Sequence, residues 1–127
     1  MGHLLAIIAG GGIGAVARYG ISIGAEKYAA ANFPLATLGA NLLGCLFIGF
    51  FWHYFDRVHI SHGFRLFLFT GFLGGFTTFS TFARESVQFF KAGEPLHAFA
   101  YIAISNILGI SMVALGFFIC QRFFVFR

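Results

Sequence analysis

Charged residues are spaced so widely in this chain that they leave long apolar stretches between them. Asp, Glu, Lys and Arg are absent from residues 1–17, 28–55, 66–83 and 95–121. As an α-helix, about 20 consecutive apolar residues cross the roughly 30 Å hydrocarbon core of a bilayer. The chain is 59% hydrophobic and 9% charged, and a soluble domain this small could not bury so much apolar surface. The sequence therefore predicts an integral membrane protein.

The predicted fold is all-α, with four transmembrane helices in a single integral-membrane domain over residues 1–127. These helices are expected at about residues 4–23, 35–55, 64–90 and 96–118. Short loops join them, and Pro34 and Pro95 stand where helix starts tolerate proline. A cleaved signal peptide is disfavoured because no Lys or Arg precedes the first apolar run, and apolar residues continue beyond Arg18.

Basic residues are balanced between the two ends of the predicted bundle. The first end, with the chain termini, has Arg57, Arg65, Arg122 and Arg127, and the second has Arg18, Lys27, Arg84 and Lys91. The positive-inside rule fixes orientation through a charge bias, and four against four gives none. The balance predicts insertion in both orientations and an antiparallel, dual-topology homodimer with its two-fold axis in the membrane plane.

Small residues recur every four positions along three of the predicted helices. The rows are Ala6, Gly10 and Gly14 on the first helix, Ala36, Ala40 and Gly44 on the second, and Ser105 and Gly109 on the fourth. Because such rows let helix backbones approach closely in lipid, they predict a tightly packed bundle. They do not indicate a transport path.

The cysteines and the neighbouring histidines have simple interpretations. Cys45 and Cys120 are isolated within apolar spans, which favours two small buried side chains over a disulfide. His59 and His62 are close in sequence, and a hydrated loop is favoured there over a metal site.

Polar groups inside the predicted spans are rich in hydrogen-bond donors. No Asp, Glu, Lys or His lies in the middle of a span, whereas Asn41 and Asn106 supply amides, Arg18 a fixed cation, and Ser and Thr residues hydroxyls. This inventory suits a small anion, since polar groups at membrane depth often mark a pathway. Thr37 and Asn41, four residues apart, share a helix face. Each hydroxyl can alternatively bond to the carbonyl four residues earlier, which is a purely structural role.

The stretch GFLGGFTTFSTFARE, residues 71–85, combines a glycine pair with four phenylalanines and four hydroxyl residues. Each glycine weakens a helix by roughly 1 kcal/mol relative to Ala, and Thr favours helix N-caps. The third helix is therefore predicted to break between Gly74 and Thr78, with freed backbone groups facing protein, water or an ion. Beyond the break, Phe79 and Phe82 share a face. Their ring edges suit an anion, and a packing stripe is the alternative.

Three stretches resemble the Fluc (CrcB) family of fluoride channels: GGGIGAVARY in the first helix, PLATLGANLLGCLFIG in the second and TGFLGGFTTFSTFARE in the third. The resemblance covers essentially the whole chain. It implies an antiparallel dual-topology homodimer with two narrow pores, in agreement with the balanced charges. One departure is Ala83, which stands where many relatives carry Ser.

The resemblance also implies roles for individual residues. Arg18 matches the first-helix arginine, and the backbone carbonyls of Gly74 and Thr77, from both subunits, are expected to hold a structural Na⁺ at the dimer centre. The residues that match the family's fluoride pore are Asn41, Phe79 and Phe82, and the candidates for a polar track beside them are Thr37, Ser80, Thr81, Ser105 and Tyr101.

The implied function is passive export of fluoride across the inner membrane of a bacterium, which relieves fluoride toxicity without enzymatic chemistry. A narrow path would replace the water around fluoride with amide and hydroxyl donors. The expected partners are fluoride, lipid and a second copy of the chain, with no nucleic acid. Two alternatives stay open: a dual-topology secondary transporter for a small substrate and a structural subunit of a larger membrane assembly. The lack of a mid-span carboxylate argues against the transporter, and the donor-rich third helix argues against the subunit.

Overall fold

The computed structural model describes residues 1–28 and 33–124, and every regular element in that part of the chain is helical. The predicted all-α fold is therefore confirmed. Four helical segments are long and apolar enough to cross a membrane: Gly2–Lys27, Leu35–Phe55, His62–Lys91 and Pro95–Phe123. The chain is thus a multi-pass membrane protein. Arg127, which contributes to the predicted charge balance, lies outside the described residues.

The third span differs from the other three because it is assembled from several short helical pieces. The helices in chain order are α1 (Gly2–Tyr28), α2 (Leu35–Phe55), α3 (His62–Arg65), a π-helical segment (Leu66–Leu73), α4 (Gly74–Phe76), α5 (Phe79–Lys91) and α6 (Pro95–Phe123). The sequence did not predict the π-helical segment. Both α1 and α6 extend beyond their predicted ends, because hydropathy marks only the apolar part of a helix whose hydrogen bonding continues into polar residues.

Glycines bring α1 against the first half of the third span. A Cβ atom added at Gly14 would collide with the carbonyl oxygen of Phe72, and one at Gly10 would collide with that of Phe67. Gly75 meets the backbone of Gly11 in the same way. The two backbones are therefore in direct contact, which confirms the close approach predicted from the small residues of the first helix.

A second backbone contact joins α2 to α6 at positions outside the predicted rows. A Cβ atom at Gly49 would collide with the carbonyl of Val113, and one at Gly116 with that of Leu46. Gly44, which does belong to a predicted row, instead faces the side chain of Thr77. Spacing alone identified small residues but could not tell which neighbour each of them faces.

The buried aromatic core lies where α5 meets α6. Phe82, Phe89, Ala98 and Tyr101 form one cluster of buried side chains. Cys45 and Cys120 are both free thiols, with Cys120 buried and Cys45 half-buried. Within residues 1–28 and 33–124, no group of three or more His, Cys, Asp or Glu side chains is arranged to hold a metal ion.

Replacing Gly14 with Val should destabilise the protein by about 1–3 kcal/mol, the usual cost of forcing extra methyl groups into a packed contact. The measurement is the thermal unfolding midpoint of the purified protein in detergent. The matched control is Gly12→Val, because a Cβ atom at Gly12 meets nothing within 4 Å. Equal midpoints for the two variants would contradict direct packing of α1 on the third span.

Candidate functional site

The third span has two extended residues between α4 and α5. Thr77 has φ −94° and ψ 155°, and Thr78 has φ −148° and ψ 118°. The Thr77 N–H still makes the last bond of the first ladder, to the Leu73 carbonyl, but residues with these angles do not carry the i→i−4 hydrogen bonding on into α5. The backbone N–H and C=O groups on either side of the interruption therefore need other partners.

Asn41 of α2 pairs with the backbone of Thr78 through two hydrogen bonds. The Thr78 N–H donates to Asn41 Oδ1 at 2.7 Å, and Asn41 Nδ2 donates to the Thr78 carbonyl at 3.0 Å. The amide thus takes the place of a missing backbone partner. One N–H of the Nδ2 group is left over from this pairing, since a primary amide carries two.

The first turn of α5 is capped by its own hydroxyl residues. Thr78 Oγ1 accepts a hydrogen bond from the Thr81 N–H at 3.2 Å and lies 3.1 Å from Thr81 Oγ1. Ser80 Oγ lies 3.4 Å from Thr78 Oγ1. Ser80 and Thr81, both predicted to form a polar track, are therefore joined to the N-cap residue of α5.

The interruption also redistributes the backbone carbonyls. Leu73 O accepts from both the N–H and the hydroxyl of Thr77, at 3.0 and 2.9 Å. Gly75 O accepts from Arg18 Nε at 3.2 Å. The carbonyls of Gly74 and Thr77 have lost their regular helical donors, because the Thr78 N–H bonds to Asn41 and the Thr81 N–H bonds to the Thr78 hydroxyl. The freed carbonyls are at the two positions where the family resemblance implies a cation.

A cavity of about 380 Å³ opens beside the interruption. Six of the predicted site residues line it: Asn41, Gly74, Thr77, Phe79, Phe82 and Ser105. The phenyl rings of Phe79 and Phe82 have centroids 5.6 Å apart. The Phe79 side chain is 78% exposed, whereas Phe82 is 9% exposed and belongs to the aromatic core. Phe82 therefore combines the lining and packing roles that the sequence left as alternatives.

The remaining polar side chains differ in how much of their donor capacity is free. Asn106 also lines the cavity, but its Nδ2 donates to the carbonyl of Ile102 on its own helix at 2.7 Å, and Ser111 bonds back to Ile107 in the same manner. The local structural role that was left open for each hydroxyl is therefore correct for Ser111, and the Asn106 amide has a similar local bond that the sequence did not predict. Ser105 forms no side-chain hydrogen bond within the described part of the chain, so its hydroxyl is free to donate into the cavity.

Thr37 and Tyr101 do not line this cavity but meet at Glu85 of α5. The Thr37 hydroxyl donates to one carboxylate oxygen of Glu85 at 3.1 Å, and the Tyr101 hydroxyl donates to the other at 3.0 Å. Glu85 was not predicted as a site residue, because it lies toward the end of the predicted third span and not in its middle. A usable signal was present, because Glu85 lies three residues after Phe82 and so falls on the same helix face.

Comparison with known proteins places this chain in a family. The family model described as "CrcB-like protein, Camphor Resistance (CrcB)" matches residues 5–117. The chain belongs to the CrcB family. The family predicted from the three motif stretches is thereby confirmed.

Relatives within the CrcB family cover nearly the full length of the chain. The chain is 55% identical to the Fluoride-specific ion channel FluC of Desulfotalea psychrophila, over 94% of this chain and 93% of that protein. It is 45% identical to the protein of the same name from Phocaeicola vulgatus, over 95% of this chain and 100% of that protein. A third relative with this name, from Hydrogenobaculum sp., is 46% identical over 92% of this chain and 96% of its own length.

Replacing Asn41 with Ala should lower stability by about 1–3 kcal/mol, because it leaves the Thr78 N–H and carbonyl without their partner in a water-poor region. Thermal unfolding in detergent measures the change. Asn106→Ala is the matched control, since it removes an amide of the same cavity that bonds only within its own helix. An equal loss of stability in the two variants would mean that the Asn41–Thr78 pairing stabilises the fold no more than the Asn106 hydrogen bond does.

Proposed function

We propose that this protein is a fluoride-selective channel that exports fluoride passively across the inner membrane of a bacterium, and that it is not an enzyme. The observation that carries the proposal is the 55% identity, over 94% of the chain, to a relative named as a fluoride-specific ion channel. Passive export would relieve fluoride toxicity, with the direction of flow set by the electrochemical gradient. The donors and phenyl rings around the interruption supply a chemistry suited to this ion.

Fluoride is small and strongly hydrated, so a selective path must replace its water with hydrogen-bond donors at close range. The free Nδ2 proton of Asn41 and the hydroxyl of Ser105 are two such donors in the cavity. The edge of a phenyl ring carries partial positive charge and offers an anion a weakly attractive, dry surface. In this proposal Phe79 and Phe82 line the path, and Ser80 and Thr81 extend its polar side.

In this proposal Thr37 and Tyr101 belong to the path when the side chains of their cluster adopt different rotamers from those in the structure. Both hydroxyls donate to Glu85, and a hydroxyl has a single proton to give. An anion can use these donors only when the Glu85 side chain has turned away from them. Glu85 thus joins the proposed path as the group that controls the two hydroxyls.

The functional unit in this proposal is an antiparallel homodimer. A single chain exposes polar groups at the depth of the hydrocarbon core, including Thr70, Gly74 and Ser80. Polar groups facing lipid at this depth are costly, and a second copy of the chain would cover them. The balanced distribution of basic residues supports insertion in both orientations, with the interruption serving as a break at the subunit contact.

The freed carbonyls are proposed to bind a structural Na⁺ at the dimer centre. Unwound backbone carbonyls in membrane helices are suitable ligands for Na⁺. Gly74 and Thr77 supply one such pair in each chain, so two inverted chains would supply four. Arg18 occupies the neighbouring Gly75 carbonyl, which fixes the backbone beside the pair and keeps a positive charge near the path.

The secondary transporter is the weaker alternative. The sequence argued against it from the lack of a mid-span carboxylate, and Glu85 in the third span reduces the force of that argument. The relatives named as fluoride-specific ion channels favour a channel.

Purified protein reconstituted in liposomes loaded with potassium fluoride or chloride should release fluoride and retain chloride once valinomycin carries the balancing potassium. Phe79→Ile should lower the fluoride rate at least about tenfold, which corresponds to about 1.4 kcal/mol on the barrier. Ion-selective electrodes measure both anions. Phe79 is suited to this test because its side chain is mostly exposed, so the variant should fold.

The matched control is Phe99→Ile, an exposed phenylalanine on α6 away from the cavity. It should conduct at the wild-type rate. Retention of fluoride by liposomes that contain folded wild-type protein would rule out the channel. An unchanged fluoride rate in Phe79→Ile would mean that the Phe79 ring serves only in packing.

Removing Na⁺ should destabilise the protein while other monovalent cations fail to replace it. Binding at a hundredfold excess over the dissociation constant stabilises a folded state by about 2.7 kcal/mol. The measurement is the thermal unfolding midpoint during titration with sodium, lithium or choline chloride at constant ionic strength. An unfolding midpoint that is the same in all three salts would contradict a Na⁺ site at Gly74 and Thr77. It would not bear on the proposed fluoride path.

A further inference from the structure

The loop between α2 and α3 lies at the end of the bundle that has fewer acidic residues. Contacts of His3 with His62, and of Phe50 with Phe124, place both ends of the described chain beside this loop. Four of the five histidines of the sequence are at this end of the bundle. Of the four acidic residues in the chain, Asp56 is the one at this end. The other three acidic residues, Glu26, Glu85 and Glu94, are toward the opposite end.

A cavity of about 500 Å³ is formed by this loop and the adjoining helix ends. Its charged and titratable lining consists of Arg57, Arg65, His59, His62 and Asp56, and these residues are called the basic loop site below. Two permanent positive charges thus face one negative charge. In the described residues no carboxylate lies within salt-bridge distance of either arginine.

Arg65 is held in position by neutral groups, which keeps its charge available. Its Nη2 donates to the carbonyl of Phe55 at 3.0 Å, and its guanidinium carbon lies 5.7 Å from the ring centroids of both Trp52 and Phe69. A guanidinium has five N–H groups, so most of them remain free. This fixed, uncompensated donor set is suited to the oxygens of a phosphate.

The position of the basic loop site in the membrane indicates the source of that phosphate. The loop that forms most of the site runs from the end of α2 at Phe55 to the start of α3 at His62, which places the site at the level of the lipid headgroups. Trp52, a residue type typical of this interface, is partly exposed beside it, as are Val58 and Phe64. An acyl chain can lie on these apolar side chains while its headgroup enters the cavity.

We propose that the basic loop site binds the phosphate of an anionic phospholipid headgroup, with Arg57 and Arg65 as the principal donors. This site is separate from the fluoride path and does not depend on the proposed channel function. Its ligand is recognised by negative charge on the headgroup together with an acyl chain. A zwitterionic lipid or free inorganic phosphate satisfies only part of that requirement.

Trp52 is the only tryptophan of the chain and reports directly on this site, because Arg65 lies over its ring. The protein is reconstituted in phosphatidylcholine vesicles in which a fixed fraction of lipid has brominated chains, on either phosphatidylglycerol or phosphatidylcholine. Bromine quenches an indole that it contacts. Brominated phosphatidylglycerol should quench Trp52 more than an equal fraction of brominated phosphatidylcholine.

Arg57→Gln and Arg65→Gln should each reduce this preference about fivefold, the factor expected for one arginine near an anionic surface. Arg57→Gln keeps the test decisive if Arg65→Gln misfolds, because the Arg57 side chain makes no hydrogen bond to the described residues. Arg84→Gln, an exposed arginine on α5, is the matched control and should keep the full preference.

Equal quenching by the two brominated lipids would overturn the proposal, as would a full preference in the Arg57→Gln protein. Inorganic phosphate added at constant ionic strength should leave the quenching unchanged. Relief of the quenching by inorganic phosphate would overturn the lipid assignment and identify a site for soluble phosphate.

Discussion

The pairing of Asn41 with Thr78 is the interaction on which the interrupted third span depends. A helix interrupted at membrane depth frees backbone groups that lipid cannot satisfy. The Asn41 amide accepts from the Thr78 N–H and donates to the Thr78 carbonyl. The Thr78 hydroxyl accepts from the next free N–H, that of Thr81. With these three bonds in place, the carbonyls of Gly74 and Thr77 remain available to a ligand.

Backbone contacts at glycines pack α1 directly against the helix that precedes the interruption. Gly10 and Gly14 of α1 lie directly against the third span before the interruption, and Arg18, one turn further along α1, reaches the Gly75 carbonyl. Main-chain atoms of α1 and of the first half of the third span therefore touch without intervening side chains. The interruption is therefore held from α1 on one side and from Asn41 of α2 on the other.

Charge in this protein is used sparingly and at specific places. Glu85 lies in the third span, where its carboxylate accepts hydrogen bonds from the hydroxyls of Thr37 and Tyr101. Arg18 is bound to a carbonyl, and Arg65 to a carbonyl and two aromatic rings. None of these arginines is neutralised by a carboxylate in the part of the chain that the structure describes. Their positive charge therefore stays effective toward anions.

The sequence by itself determined the four spans, the tight packing of α1 and the family, because hydropathy, residue size and motif are properties of neighbouring residues. It also singled out Asn41, Gly74 and Thr77. Only the tertiary structure decided that Asn41 pairs with Thr78, 37 residues away, that Glu85 joins Thr37 to Tyr101, and that Asn106 donates to a carbonyl of its own helix. These outcomes depend on which helix faces meet, and a periodic pattern gives the faces of a helix without giving their neighbours.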